Sequence, residues 1–292
     1  QMAAKILLNS AYGALGNQYF RYYDIRQAES ITLSGQLSIR WIENKVNDYL
    51  HKVLKNDEKI NYVIASDTDA IYIRLGDLVD KVFDTEKVLA TEGGEAKIIN
   101  FLDTIASEKL EPFIDKSYQD LADYMNAYEQ KMQMKREVIA SKGLWTAKKR
   151  YILNVHDNEG VRYKTPELKI MGIEAVRSST PAACREKLRE IFKVIMNGNN
   201  EQLITFINQF REEFNTLPVE DICFPRGVNG LKKYECPVEL FKKGTPIHVK
   251  GVIHFNRLIK KHNLEMTHPL VKEGEKIKFV YLKEPNPIGN NT

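Results

Sequence analysis

Apolar residues recur along this chain at two periods, and the change between them divides it. From about Asp24 to Leu54, Ile31, Leu37, Trp41, Ile42, Val46 and Leu50 return near helical spacing, which predicts one long helix with a buried face. Asp24 is suited to cap its start. Ahead of it, residues 2–12 have helical composition that closes at Gly13-Ala14-Leu15-Gly16. An aromatic cluster with one cation, Tyr19-Phe20-Arg21-Tyr22-Tyr23, follows. Beyond a polar break at Lys55-Asn56-Asp57-Glu58, two short β-rich runs, Tyr62-Val63-Ile64-Ala65 and Ala70-Ile71-Tyr72-Ile73, flank Ser66-Asp67-Thr68-Asp69. That is the layout of a hairpin with acids at its tip. One helix is predicted from about Asp77 to Leu89, and a longer one over 96–128 with a break at Pro112.

Residues 134–175 turn β-like, in short alternating runs (MKREVIA, KKRYILNV, VRYKTP, LKIMGI) with a turn at Asp157-Asn158-Glu159-Gly160. Ser178-Ser179-Thr180-Pro181 reads as a helix start with proline at the first helical position. Helices are expected over 182–196 and 200–215. The last stretch is mixed and rich in Gly, Pro and Lys. No internal repeat is visible.

Composition narrows the class. The 292 residues have room for one large domain or two small ones, and 43% hydrophobic with 28% charged residues is ordinary for a soluble globular chain. No run of about 18 apolar residues occurs, so no membrane partner is expected. The opening Gln1-Met2-Ala3-Ala4-Lys5 reads as a chain cut from something longer. Cys184, Cys223 and Cys236 form no C-x-x-C pair, which argues for a reducing setting without a disulfide framework. The net charge of +4 hides an asymmetry. Residues 76–130 carry 5 basic and 13 acidic side chains, a net of −8, whereas residues 131–180 carry 11 and 5, a net of +6. A polyanionic partner is consistent with this, and so is a solvated surface.

Three groups of residues are candidates for chemistry. Asp67 and Asp69 sit between apolar β-formers, so they are expected at the end of a buried hairpin. Carboxylates so close repel each other and are tolerated beside a divalent cation, and oxygen ligands with open positions suit Mg²⁺. A polar hairpin turn is the plainer reading. Lys5, Asn9 and Tyr12 fall on one helical face, with Gly13 leaving room beside the ring. Together they offer an ammonium for phosphates, an amide and a flat phenol, or simply a polar stripe facing solvent. Lys148-Lys149-Arg150-Tyr151, if on one strand, puts Lys148 and Arg150 on one side and Lys149 and Tyr151 on the other. Cations interleaved with aromatics suit nucleic acid, while lysines also protect an exposed edge strand. The six histidines show no metal-binding spacing, and no dinucleotide, P-loop or nucleophile-elbow motif is present.

Taken together these segments resemble the family B DNA polymerases. Lys5-Ile6-Leu7-Leu8-Asn9-Ser10-Ala11-Tyr12-Gly13 is similar to the family's K-x-x-x-N-S-x-Y-G signature, Asp67-Thr68-Asp69 to its D-T-D hairpin and Lys148-Lys149-Arg150-Tyr151 to its K-K-R-Y element, in the family's order and spacing. Lys169-Ile170-Met171-Gly172-Ile173-Glu174 and Ser178-Ser179-Thr180-Pro181 resemble the T-even-type bacteriophage members. The resemblance fades after about residue 220. It departs from the family at Ala70, where many members have Ser.

The resemblance implies an α+β fold: a polymerase palm with an antiparallel sheet and packed helices, plus a largely helical thumb. Residues 1–54 would end the fingers helix and re-enter the palm, 55–175 form the palm with the DTD hairpin, and 176–292 form an incomplete thumb. It implies a DNA nucleotidyltransferase that adds dNTPs to a primer 3′ end by two-metal phosphoryl transfer. Asp67 and Asp69 would be catalytic and metal-binding. Lys5, Asn9, Tyr12 and Gly13 would bind nucleotide, Tyr12 helping to exclude a ribose. Lys148, Lys149, Arg150 and Tyr151 would bind DNA. The family's other metal-binding Asp, in a D-x-x-S-L-Y-P-S element, has no match here. Two Mg²⁺ ions would therefore need an Asp from elsewhere, this chain alone is expected to be inactive, and its partners would be primer–template DNA, a dNTP and the N-terminal part of a polymerase, with a sliding clamp undecided. The implied location is the cytoplasm of an infected bacterial host. The alternative is a non-catalytic duplex-DNA-binding module.

Overall fold

The computed structural model of this chain describes residues 2–55, 60–236, 240–283 and 285. The polar break at Asn56-Asp57-Glu58, the terminal Gln1 and Asn290-Asn291-Thr292, and the side chain of Lys5 lie outside what is described. The fold is α+β, as expected. It divides into two compact units, Gln1–Ala140 with Val155–Thr165, and Ser141–Asn154 with Pro166–Thr292.

The first unit opens with helices α1 (Met2–Leu15) and α2 (Ile25–Leu54). The Asp24 N–H closes back onto the Leu15 carbonyl at 3.1 Å, and its carboxylate accepts from the Arg26 N–H at 3.0 Å, capping α2. Ile42, Val46, Leu50 and Leu54, four residues apart, are buried and pack on Tyr62, Val63, Ile114, Tyr118 and Leu121. The apolar face expected from Ile31 onward is covered only in part: Ile31 stays 51% and Leu37 43% exposed, because the core supplied by neighbouring elements begins at Trp41. Trp41 Nε1 donates to the Ser117 carbonyl at 2.8 Å and Tyr49 stacks on Phe113 at 4.4 Å, which ties α2 to α6.

Strands β1 (Val63–Asp67) and β2 (Ala70–Ile73) form an antiparallel hairpin. The single helix expected from about Asp77 is two, α3 (Gly76–Val82) and α4 (Thr85–Leu89). Phe83 is extended, with φ −122 and ψ 143, and Asp84 caps a fresh start by accepting from the Lys87 N–H. Next, α5 (Gly94–Ile105) runs through a π turn at Ala106–Leu110 into α6 (Glu111–Tyr124). Pro112 makes no break: the π turn ends just before it, with the Glu111 N–H bonded five residues back to the Ala106 carbonyl, and helical backbone continues on both sides.

The β-like stretch is three strands, β3 (Val138–Ala147), β4 (Arg150–Asn158) and β5 (Val161–Met171), ordered β3-β4-β5, and the chain passes between the units along them. In the first unit, Asp157 is 1% exposed and is held by Arg136, by Arg162 Nε at 2.5 Å and by the Gly160 N–H at 3.0 Å. The same two guanidiniums reach Asp103 of α5 at 2.6 and 3.1 Å. The acidic segment and the basic one after it thus neutralise each other here, which accounts for part of the charge asymmetry without any partner.

In the second unit Ile152, Ile173, Ala175, Phe192 and Met196 form a core. A 3₁₀ turn (Glu174–Val176) leads to α7 (Ala182–Asn197) and α8 (Asn200–Phe214), the latter opened by a reciprocal Asn199–Gln202 capping box. Pro181 stands at the cap of α7, one place earlier than expected, and no side chain caps that helix. The remainder comprises α9 (Val219–Ile222), β6 (Phe224–Gly227), α10 (Leu231–Tyr234), α11 (Ile247–Lys261) and β7 (Lys276–Phe279), with β6 and β7 antiparallel. Among the described residues no helix is long and apolar enough to cross a membrane.

Candidate functional site

The hairpin is anchored from α2. Asn47 Oδ1 accepts from the backbone N–H groups of both Tyr62 and Val63, at 2.8 and 3.0 Å. Those two residues are buried, and β1 runs from them to Asp67, which pairs across the ladder with Ala70. Thr68 and Asp69 make the turn. Thr68 has φ +57, a left-handed backbone that a β-branched residue adopts only under constraint. The Asp69 N–H donates to the Asp67 carbonyl at 2.7 Å, and the Thr68 hydroxyl donates to Asp67 Oδ1 at 3.0 Å. The acids do sit at the tip. The tip, however, opens to solvent rather than being buried: Asp67 is half-buried, and Thr68 and Asp69 are exposed.

Two carboxylates on one tight turn fit a small hard dication that keeps waters and takes its remaining oxygens from phosphate. They do not make a closed protein cage, since no group of three His, Cys, Asp or Glu side chains suited to a metal ion occurs among the described residues. Asp69, the exposed one, and Asp67, already accepting from Thr68, are the residues of the hairpin that would hold such an ion.

Lys5, Asn9, Tyr12 and Gly13 all lie in α1. Asn9 is exposed and Tyr12 is 42% exposed. Tyr12 and Gly13 line a cleft of about 260 Å³ with Gly16 of the following turn and Ile25, Ala28, Glu29 and Thr32 of α2. A Cβ on Gly13 would meet nothing within 4 Å, so the space expected beside the phenol is open. Neither Asp67 nor Asp69 lines this cleft. Thr32, its last lining residue, precedes Asn47 by 15 positions, about 22 Å along a helix axis. Helix α1 and the base of the hairpin therefore engage separate stretches of α2.

Lys148 and Lys149 are not strand residues. They form the two-residue turn between β3 and β4, both exposed, with Lys149 at φ +60. The expected alternation of faces does not occur, because side-chain alternation needs continuous strand and a turn interrupts it. Arg150 opens β4 and pairs with Glu174, Nη2 to Oε2 at 2.5 Å. The Glu174 backbone N–H and the Arg150 guanidinium hold that carboxyl below the usual range, against the opposing effect of burial. Tyr151 is half-buried, 6.2 Å from Trp145. The two lysines of the turn are exposed, and Arg150 faces an internal partner. The role of Asn47 and the pairing of Glu174 were not apparent from the sequence because their partners lie 15 and 24 residues away. Thr68 carried a signal that could have been read: a β-branched residue between two acids in a two-residue turn.

Comparison with known proteins follows from these motifs. Residues 1–100 match the model of DNA polymerase family B. The chain is 40% identical over 304 aligned residues to the DNA-directed DNA polymerase of Escherichia phage RB69, covering 99% of this chain and 32% of that protein. It is 39% identical over 305 residues to the DNA-directed DNA polymerase of Enterobacteria phage T4, with the same coverage. To the DNA polymerase of Pyrococcus glycovorans it is 24% identical over 294 residues, covering 99% of this chain and 29% of the other. The chain spans about a third of the length of the curated relatives it matches.

Proposed function

Because the chain is a relative of the T-even-type family B DNA polymerases, we propose that it performs the palm and thumb part of template-directed DNA synthesis. The reaction is attack of a primer 3′-hydroxyl on the α-phosphate of a dNTP, with pyrophosphate leaving. Residues 1–54 are the end of the fingers and re-entry into the palm, 55–175 the palm and 176–292 the thumb. Asp67 and Asp69 are the residues that would hold a divalent cation, and such an ion would supply neutralisation of phosphate charge and a lowered pKa for the attacking hydroxyl. The second carboxylate position of a two-ion site comes from another stretch of polymerase chain. Lys5 and Asn9 serve the triphosphate, Tyr12 and Gly13 the nascent pair, and the Lys148–Tyr151 hairpin the primer–template.

The observation that carries this reading is the Asp67-Thr68-Asp69 tip. A turn that holds threonine at φ +57 sets two aspartates two residues apart at the hairpin tip, Asp67 half-buried and Asp69 exposed. That arrangement has a use beside a phosphate-bound dication and is otherwise an unnecessary strain. The test is reconstitution. Mixed with a chain carrying the D-x-x-S-L-Y-P-S element, this one should extend a primer in Mg²⁺, and Asp69→Ala should abolish extension while leaving duplex binding nearly intact. Normal turnover by Asp69→Ala would sink the metal-ligand role. Salt-sensitive duplex binding without extension in any mixture would leave a binding module instead.

A further inference from the structure

The segment Lys169-Ile170-Met171-Gly172-Ile173-Glu174, at the end of β5, has no role in the function proposed above. Its backbone lies against the Lys148–Lys149 turn. Gly172 has φ +67, and a Cβ there would stand 2.1 Å from the Lys149 carbonyl oxygen and 3.3 Å from Cγ of Arg150. Only glycine lets the two segments come this close. Two residues on, Glu174 takes the Arg150 guanidinium at 2.5 Å. Arg177 Nε donates to the Gly172 carbonyl at 3.1 Å, and its Nη1 lies 4.0 Å from the other Glu174 oxygen. Lys149 is therefore closely approached by Gly172 at its own carbonyl and tethered through the residue after it. Its φ of +60 is a backbone that a lysine keeps only when its surroundings impose it.

We propose that Gly172 and Glu174 are positioning residues, bracing the Lys148–Lys149 turn so that its two ammonium groups are presented to the phosphates of a nucleic-acid duplex. This rests on the reading of that turn as a DNA contact. Arg150, counted above within the primer–template contact, acts here as part of the brace and not as a phosphate ligand.

The variant to make is Gly172→Asn. Asparagine tolerates the left-handed backbone, yet its Cβ still collides with Lys149. The full chain is titrated with a fluorescent primer–template duplex over a range of salt concentrations. Binding should weaken about tenfold, and the slope of log K against log salt should become shallower by about one, in a chain whose circular dichroism remains that of the folded protein. In a Lys148→Ala/Lys149→Ala background the same substitution should change nothing further, since both act through one contact. An equal loss in both backgrounds overturns the proposal. If Gly172→Asn does not fold, Glu174→Gln goes through the same cycle. The shallower slope must then appear only where the lysines are present, and a change of equal size in both backgrounds overturns it. If the unsubstituted chain binds no duplex, the proposed function falls. The brace is then judged from amide exchange at residues 148–151, where faster exchange in Gly172→Asn supports it and unchanged exchange refutes it.

Discussion

Asn47 has a larger part in the candidate site than its place on an amphipathic helix suggests. Its one side-chain oxygen satisfies two backbone donors at the root of the DTD hairpin, both on buried residues. Asn47→Ala strands those donors, so a loss of about 2–4 kcal/mol is expected in urea unfolding. Thr68 acts in the opposite sense. Holding a β-branched residue at φ +57 costs folding energy, and Thr68→Asn, which accepts that backbone, should raise stability by about 1 kcal/mol. If primer extension by the reconstituted enzyme falls as stability rises, the strain serves the carboxylates. Unchanged stability in that variant would mean that the turn is not strained.

At the scale of elements, α2 is one helix with two environments. Ile42 is wholly buried and Ile31 is 51% exposed, although both lie on the apolar pattern. Ile42→Ala should cost about 2–5 kcal/mol, whereas Ile31→Ala should stay within about 0.5 kcal/mol. Equal losses at the two positions would show that something covers Ile31 in solution. The long helix, the hairpin, the β-like stretch and the paired helices of the second unit were all legible in the sequence, because each buries a face at its own period. The break at Phe83 and the π turn at Ala106–Leu110 were not. Neither carries a glycine or a proline within it, and the capping Asp84 beside Phe83 is a local mark that the helical pattern masked. The Lys148–Lys149 turn was missed because two lysines look like strand-edge residues until the φ of one turns positive.

For the whole molecule, the network around Asp157 contributes to how the first unit responds to acid. Burial pushes the Asp157 carboxyl up, but the Gly160 N–H and the Arg162 and Arg136 guanidiniums outweigh it and hold the group below its ordinary value. The folded state therefore binds this proton less readily than the unfolded chain. Its contribution is complete above the ordinary carboxylate range near pH 4 and is lost as pH falls through the lowered native value. Asp157→Ala takes one of two carboxylates from Arg136 and Arg162, leaving them Asp103, and should cost about 3–5 kcal/mol at neutral pH. The variant's urea midpoint should then fall less steeply than the unsubstituted chain's as the medium is acidified. A parallel decline in both would place the acid sensitivity elsewhere.

The sequence by itself determined which residues are candidates: the lysine–asparagine–tyrosine face, the two aspartates and the lysine-rich run are local patterns, and short-range spacing placed the first two on their elements but put Lys148 and Lys149 on a strand where the structure has a turn. It also determined the α+β class, since helical and strand periods are written in consecutive side chains. Tertiary structure decided how each candidate is held. It set the exposure of the aspartate tip, the diversion of Arg150 to Glu174 and the pairing of Asp103 from the acidic segment with Arg136 and Arg162 from the basic one, which offsets part of the charge asymmetry. The reason is physical. A hydrogen bond or ion pair between residues 15 to 59 positions apart depends on where the chain returns, and no periodicity in the intervening residues encodes that return.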